Sequence, residues 1–273
     1  MEITHVIRGE DHVSNTPKQI LIYHALGFKV PIFAHLPMIL GEDKKRLSKR
    51  HGAAGVNEYE SMGYQPDALL NYLALLGWNP GTEEEIFDLG SLVKNFDIRK
   101  VQKKSATYDQ KKFNWISSQH LMKEDSDKVL NRLASIDPRW SESRSQDYLI
   151  KIIDLMKPRS NSLTDLIDQS RYFFSSPKEF DSAQLQKIWK QDTAEIIIEL
   201  KSVLGAINSW VAIELESNFK SFMDQRGFGI GKVMKPMRFL ICGSLQGPSL
   251  FDLMELIGKE ESLKRINYAI NEF

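Results

Sequence analysis

Two short runs hold the side chains best suited to chemistry. Arg46, Leu47, Ser48, Lys49 and Arg50, within GEDKKRLSKRHGAAG, set two guanidiniums, a hydroxyl and an ammonium between Gly41, Gly52 and Gly55. Such a run is either a solvated charged loop or a mobile loop that closes on a polyphosphate. In the second run, HVIRGEDH, Arg8, Glu10, Asp11 and His12 follow a β-rich hexamer. A guanidinium there can clamp a carboxylate through paired hydrogen bonds, or form a salt bridge with a neighbouring acid. His5, His12, His24, His35, His51 and His120 lack metal-ligand spacing, so no metal is assigned. The single cysteine, Cys242 in FLIC, excludes an internal disulfide and a cysteine-based zinc cluster and reads as a buried thiol.

These residues need elements to hold them. Residues 3–8 and 32–40 are short β-rich or apolar runs, and TPKQILIYHALG between them reads as a helix with Thr16 as N-cap, Pro17 at its first position and Gly27 at its end. Strand, helix, strand is one crossover of a parallel sheet, and the carboxyl ends of such strands are where ligands bind. That places Arg8 to His12 at a binding edge. Because a two-strand parallel pair is normally covered on both faces, the chain is expected to begin partway through a larger α/β domain.

Beyond the basic loop the pattern turns helical. QPDALLNYLALLGW carries Pro66 and Asp67 in its first turn and apolar residues over most of its circumference. SQDYLIKIIDLMK and SLTDLIDQSRYFF follow, the latter opening with a Ser162-x-x-Asp165 capping pattern, and five further helical segments run from residue 192 to the end. Phe173, Phe174, Ile196, Ile197 and Leu200 are expected in bundle cores. The fold class expected is mainly α, with a Rossmann-like α/β remnant at the start.

Composition narrows the function classes. With 273 residues, 42% hydrophobic and 26% charged, the chain is long enough for about two globular domains. Lys plus Arg balances Asp plus Glu, 36 against 36, so no global field draws it to nucleic acid or an anionic membrane. Any polyanion site must be a local patch. No basic segment leads into an apolar one at the start, and no stretch has the apolar length of a membrane span. The cytosol or an organelle interior is the expected compartment.

HVIRGEDHVSNTPKQILIYHALG, FAHLPMILGEDKKRLSKRHGA and GYQPDALLNYLALLGW, in this order, resemble the later part of bacterial-type glutamyl-tRNA synthetases, class I aminoacyl-tRNA synthetases. RLSKR stands where that family carries its KMSKS signature, with Arg46 in place of the commoner lysine. The likeness continues through EIFDLGSLVKNFDIRKVQKKSATYDQKKFNWI to KPMRFLICGSLQGPSLFDLMELIGKEESLKRI, essentially the whole chain.

The resemblance implies activation of glutamate by ATP, taken with Mg2+, and transfer of the glutamyl group to the glutamate tRNA; it implies no zinc site. Lys49 would meet the leaving pyrophosphate, where a cation helps most, with Ser48, Arg46 and Arg50 shaping the loop. Arg8 would hold glutamate, Asp11 and His12 would flank the ATP site, and backbone groups at Met38 and Ile39 would receive adenine. Residues 1–58 would form the later part of the catalytic domain, 59–120 a stem-contact region, and 121–190 and 191–273 two anticodon-binding helical bundles. Arg99, Lys100, Lys103, Lys104, Lys111 and Lys112 either pair with stem phosphates or form a solvated face. Arg238, Pro248, Leu250 and Phe251 would lie near the anticodon, with Arg159 a candidate beside them; Phe251 could equally be core. The intact enzyme would be a monomer.

One family feature is absent from the sequence: no His-x-Gly-His tetrad occurs. The chain is therefore expected to be inactive alone and to need the missing N-terminal catalytic half as its partner. Two alternatives remain at this stage, a catalytically inactive tRNA-binding module and a glutaminyl-tRNA synthetase relative. The helical second half argues against the latter, whose anticodon domains would be β-barrels.

Overall fold

The computed structural model describes residues 2–47, 55–142 and 144–272. They fall into two compact units, residues 1–123 and 124–273.

In the first unit, β1 (His5–Gly9) and β2 (Ile32–Leu36) pair in parallel, with α1 (Thr16–Ala25) as the crossover. The expected crossover is present, with two differences in detail. Asn15, not Thr16, precedes the first helical residue, because the Thr16 hydroxyl is engaged with Arg8 and His35 instead of capping the helix. The run 32–40 is not one strand: Pro37 cannot donate to a ladder, and the chain resumes after it as β3 (Ile39–Leu40), which pairs in parallel with β4 (Ala106–Thr107) in a separate sheet. Among the described residues nothing else pairs with β1 or β2. Their apolar side chains stay open, with Ile7, Leu21, Ile22, Leu26, Phe28 and Ile32 all more than half exposed.

The remainder of this unit is helical. α2 (Val56–Ser61) precedes α3 (Pro66–Leu75), whose Pro66 occupies the first helical turn, and α4 (Leu89–Asn95) is capped by the Asp88 carboxylate, which accepts the Ser91 N–H. α5 (Gln110–Lys123) packs on α3. Tyr59, Leu69, Tyr72, Tyr108, Phe113 and Ile116 form one core, and Trp78, Phe87 and Leu92 a second. The tyrosine hydroxyls in the first core are satisfied: Tyr59 meets Tyr108 at 2.9 Å, and Tyr72 both donates to the Asp109 carbonyl and accepts its N–H. Burial pushes the Tyr72 phenol up to about 12.

The node joining α3 to α5 is Asn71, fully buried. Its Nδ2 donates to the Glu85 carbonyl at 3.0 Å, while Oδ1 accepts from Phe87 N and His120 Nε2, both at 2.9 Å. Three of the four hydrogen bonds its amide can make lie in the protein, so the side chain is specified by shape and by polarity.

The second unit is all helix. α6 (Ser126–Ile136), α7 (Arg139–Glu142), α8 (Gln146–Met156), α9 (Leu163–Gln169) and α10 (Arg171–Phe174) precede α11 (Ser182–Ile188) and α12 (Thr193–Gly205). α13 (Ala212–Arg226), α14 (Ile230–Cys242), α15 (Leu250–Ile257) and α16 (Lys259–Glu272) complete it. The expected cap at Ser162 forms reciprocally, Ser162 Oγ accepting Asp165 N–H and Asp165 Oδ2 accepting Asn161 N–H. The segment read as one helix over 162–174 breaks at Ser170, whose hydroxyl bonds back to the Leu166 carbonyl. Phe173, Ile196, Ile197 and Leu200 are buried as expected. Phe174 is half-buried, its ring edge-on to Trp140 at 5.0 Å.

His120 provides a test of the Asn71 node. Burial, the largest influence on it, holds the imidazole below its ordinary value of 6.5. Below about pH 6.5 the unfolded chain therefore takes up a proton that the folded chain resists, and stability falls as pH drops through that range. Urea unfolding of the chain at pH 7.5 and 5.5 should show this loss, and His120→Gln should reduce it. Asn71→Ala, which orphans the Phe87 N–H and the His120 ring, should cost about 2–4 kcal/mol at pH 7.5.

Candidate functional site

At the carboxyl end of β1 the chain turns sharply. Gly9 is extended and leads into a 3-10 turn over Glu10–Asn15. A Cβ on Gly9 would lie 2.5 Å from Asp11 Oδ1, so glycine lets the Asp11 carboxylate fold back over the strand end. Arg8, the last side chain before that turn, is half-buried; its Nη2 donates to Thr16 Oγ1 at 2.8 Å and Gln19 Oε1 at 2.7 Å, and its Nε to His35 Nε2 at 3.3 Å. Among the described residues no carboxylate pairs with Arg8. His12 contributes its carbonyl to Arg8, at 3.5 Å, and its ring lies near Asn15.

The basic loop leaves from β3 on the same side. Gly41 N–H donates to the Lys45 carbonyl at 2.8 Å, Lys44 N–H to the Gly41 carbonyl at 3.0 Å, and Leu47 N–H to the Ile39 carbonyl at 2.9 Å. Residues 41–47 are thus a hairpin-like turn, with Lys44 at φ 62, a left-handed conformation that costs a lysine about 1 kcal/mol. Gly41, which precedes the basic run, is buried and tied into this turn. Arg46 bridges Leu40, and its guanidinium reaches Asp11 Oδ2 at 3.5 Å. Ser48, Lys49, Arg50 and Gly52 lie outside the described residues.

Met38 and Ile39 lie between these features. Met38 N–H donates to Glu10 Oε1 at 2.9 Å, and the Ile39 carbonyl accepts Leu47 N–H. A ligand taking the Met38 N–H must displace the Glu10 carboxylate. Among the described residues no group of three His, Cys, Asp or Glu is placed to hold a metal.

The basic residues read as a possible phosphate face are divided. Arg99 is clamped by Asp97, Lys112 pairs with Glu85 at 2.5 Å and Lys100 donates to the Pro80 carbonyl. Lys103, Lys104 and Lys111 are exposed.

In the second unit, Arg238 on α14 donates from Nη1 to the Pro248 carbonyl at 2.6 Å, pinning the loop before α15. Gly247 lies so close to it that a Cβ would come within 3.0 Å of Arg238 Nη1 and 3.4 Å of the Tyr172 hydroxyl. Pro248, Leu250 and Phe251 are buried, Phe251 edge-on to Phe219 at 5.4 Å. The core alternative therefore holds for the Phe251 side chain, and between Pro248 and Leu250 only Ser249 is exposed. Arg159 is exposed at the end of the turn after α8.

Sequence reasoning missed the residues around Arg238. An open cleft of about 840 Å3 is lined by Arg171, Tyr172, Ser176, Gly243, Gln246 and Gly247, from segments some seventy residues apart. Burial pushes the Tyr172 phenol well above its usual value and the Cys242 thiol up to about 12, so Cys242 is an inert core thiol. Arg265, nearly fully buried, donates to the Ile241 carbonyl at 2.9 Å and to Glu261 at 2.7 Å, closing the end of α14 beneath the cleft. Burial alone would raise Glu261, but hydrogen bonds from Ser176 and Arg265 hold it below the usual carboxylate range. No local motif marks these partners, because each pairing spans distant sequence.

Residues 1–115 match the family model for the catalytic domain of class I tRNA synthetases (E and Q), and residues 130–270 match the model for an anticodon binding domain. The chain is 40% identical to the glutamate-tRNA ligase of Syntrophobacter fumaroxidans, over 99% of its own length and 58% of that protein. It is 38% identical to the glutamate-tRNA ligase of Moorella thermoacetica, over 98% of this chain and 56% of that protein. Among solved structures it is similar to a glutamate tRNA ligase from Elizabethkingia meningosepticum crystallised with its amino acid, with TM-score 0.81 at 34% identity, covering 99% of this chain and 57% of that one. The chain thus spans between half and two thirds of the length of these relatives.

The Arg46–Asp11 pair is largely open to water, with side chains 67% and 34% exposed. A double-mutant cycle of Asp11→Asn and Arg46→Gln, read by urea unfolding, should give a coupling below about 1 kcal/mol that shrinks at high salt. A coupling well above that would mean the pair is dry and holds the loop by itself.

Proposed function

The chain belongs to the class I tRNA synthetases of the glutamate and glutamine branch, through both a catalytic-domain segment and an anticodon binding domain, and from that premise we propose that it is the signature-loop and tRNA-binding portion of a glutamate-tRNA ligase. The ligase activates glutamate with ATP, taken as its Mg2+ salt, to glutamyl-adenylate and pyrophosphate. It then esterifies the terminal ribose of the glutamate tRNA.

The observation that carries this reading is the convergence of Arg8, Asp11 and the first residue of the RLSKR loop at one strand end. In this scheme Arg8 binds the glutamate carboxylate. Lys49 neutralises charge arriving on the leaving pyrophosphate, a stabilisation greatest in the transition state. Ser48, Arg46 and Arg50 shape the loop. Adenine takes the backbone donor at Met38 by displacing Glu10, with Ile39, Asp11 and His12 forming the adjoining wall. Residues 59–120 contact the tRNA stem, and the helices over 121–190 and 191–273 form the anticodon-binding bundles. There Arg238 and Arg159 offer guanidiniums, while Pro248, Leu250 and Phe251 shape the contact loop from beneath.

The uncovered apolar surface of β1, α1 and β2 supports a requirement for the N-terminal part of the catalytic domain, which would bury it. The cytosol or an organelle interior is the compartment this activity implies, and the assembled enzyme is proposed to be monomeric.

The test is binding of the purified chain to glutamate tRNA and to an anticodon-mutated version at two salt concentrations, followed by glutamate-dependent ATP-pyrophosphate exchange. Binding that depends on the anticodon, with exchange only when the N-terminal catalytic part is supplied, is the expected result. Arg238→Ala should weaken binding by about 1–3 kcal/mol and flatten the anticodon preference. Equal binding to both RNAs, or exchange by the chain alone, would sink the reading in its recognition or its catalytic part respectively.

A further inference from the structure

A guanidinium has five N–H donors and cannot accept. The Nη2 donors of Arg8 go to Thr16 Oγ1 and Gln19 Oε1, and Nε–H goes to His35 Nε2. The backbone dictates this arrangement. Arg8 and His35 are register partners across the parallel β1–β2 pair, which puts both side chains on one face. Thr16 and Gln19, three residues apart in α1, share the helix face turned toward them. Phe33, two residues before His35 on the same face, lies beneath: the Arg8 guanidinium carbon is 5.3 Å from its ring centre, and the His35 ring is within 4° of parallel to it. Among the described residues nothing takes the two Nη1 donors.

We propose that His35 is the positioning residue for Arg8: with its Nε2 unprotonated it accepts the Arg8 Nε–H and turns the guanidinium so that the Nη1 end faces the incoming carboxylate. The inference rests on the reading of Arg8 as the glutamate ligand. The tautomer follows from the partners. Arg8 can only donate, so the His35 proton resides on Nδ1. Nε2 has one lone pair, committed here to the Arg8 Nε–H, so the Thr16 hydroxyl, 3.0 Å from the same Nε2, accepts from Arg8 and gives its single proton to the His12 carbonyl at 3.3 Å. With its Nε and both Nη2 donors committed, Arg8 can offer neither the side-on nor the end-on fork that arginine often uses toward carboxylates. The grip falls to the two Nη1 donors alone, and their aim depends on how firmly the rest of the guanidinium is held. His35 touches no substrate in this scheme and acts only through Arg8.

The test uses the full chain labelled with nitrogen-15. The His35 ring nitrogens and the Arg8 Nε–H are observed by nuclear magnetic resonance, and L-glutamate is then titrated into the same sample with the unlabelled N-terminal catalytic part supplied. The expected result is the Nδ1-protonated tautomer for His35 and a slowly exchanging Arg8 Nε–H. His35→Gln, whose carbonyl can accept the same bond, should keep that slow exchange. His35→Phe should lose it with the circular dichroism spectrum unchanged, and should weaken glutamate binding about tenfold. A His35 protonated at Nε2 overturns the proposal, as does an Arg8 Nε–H that exchanges equally fast in wild type and His35→Phe. These two signals are read without substituting His35 or with only one replacement, so a poorly folded variant does not shield the idea. If glutamate moves no resonance while the Arg8 Nε–H stays protected, the glutamate reading of the site fails and His35 stands as the holder of Arg8.

Discussion

The first unit is held together at Ile39 and Leu40. These two residues pair in parallel with Ala106 and Thr107, the Leu40 carbonyl accepts Tyr108 N–H at 2.8 Å, and the Ile39 carbonyl accepts Leu47 N–H. One residue earlier, Met38 N–H is held by Glu10. A strand of two residues therefore ties the end of β1, the root of the basic loop and the start of α5 into one body. Backbone donors and acceptors must be paired when withdrawn from water, and here three separate segments meet that requirement on the same few groups. The placement of Arg46 near Asp11 is a consequence of this junction more than of the exposed ion pair between them.

Packing on the two sides of this junction differs. The helical side buries Trp78, Phe87, Phe113 and Ile116 almost completely; Asn71 and the tyrosine hydroxyls pair inside it, while among the described residues the Trp78 indole N–H has no partner. On the other side β1, α1 and β2 keep large apolar side chains in water. Such a surface is a liability for a free polypeptide and an asset for one that is covered. The face carrying Arg8 is organised from within the chain: His35, Thr16 and Gln19 take the Nε and Nη2 donors of Arg8. The Arg8 side is thus ordered by bonds internal to the chain, whereas the apolar side keeps Ile7, Leu21, Ile22 and Ile32 more than half exposed.

In the second unit, buried and half-buried cations do positional work. Lys157 is buried and donates to the Glu124 carbonyl and Ser126 Oγ, fastening the end of α8 to the start of α6. Arg265 does the same for α14 and α16, and Arg238 for the loop ahead of α15. Each cation meets carbonyl or hydroxyl oxygens, which offset the cost of leaving water and make the geometry specific. The cleft beside Tyr172 takes its shape from these ties and from Gly247, where a Cβ would crowd Arg238 Nη1 at 3.0 Å.

Local sequence determined much of this protein. The helix beginning at Pro66, the Ser162–Asp165 cap, the α1 crossover and the buried stripe at Ile196, Ile197 and Leu200 follow from periodicity and end chemistry, which act over a few residues. The ordered motifs around Arg8 and RLSKR also marked the family. Tertiary structure alone decided that residues 32–40 divide between two sheets, that Arg8 is held by a histidine and a glutamine, and that Leu250 and Phe251 face the core. It also assembled the cleft from segments near residues 171 and 247. The physical reason is range: caps and helical faces are set by neighbours in the chain, whereas sheet register, burial and the partner of a long cation are set by whichever distant segment packing brings alongside.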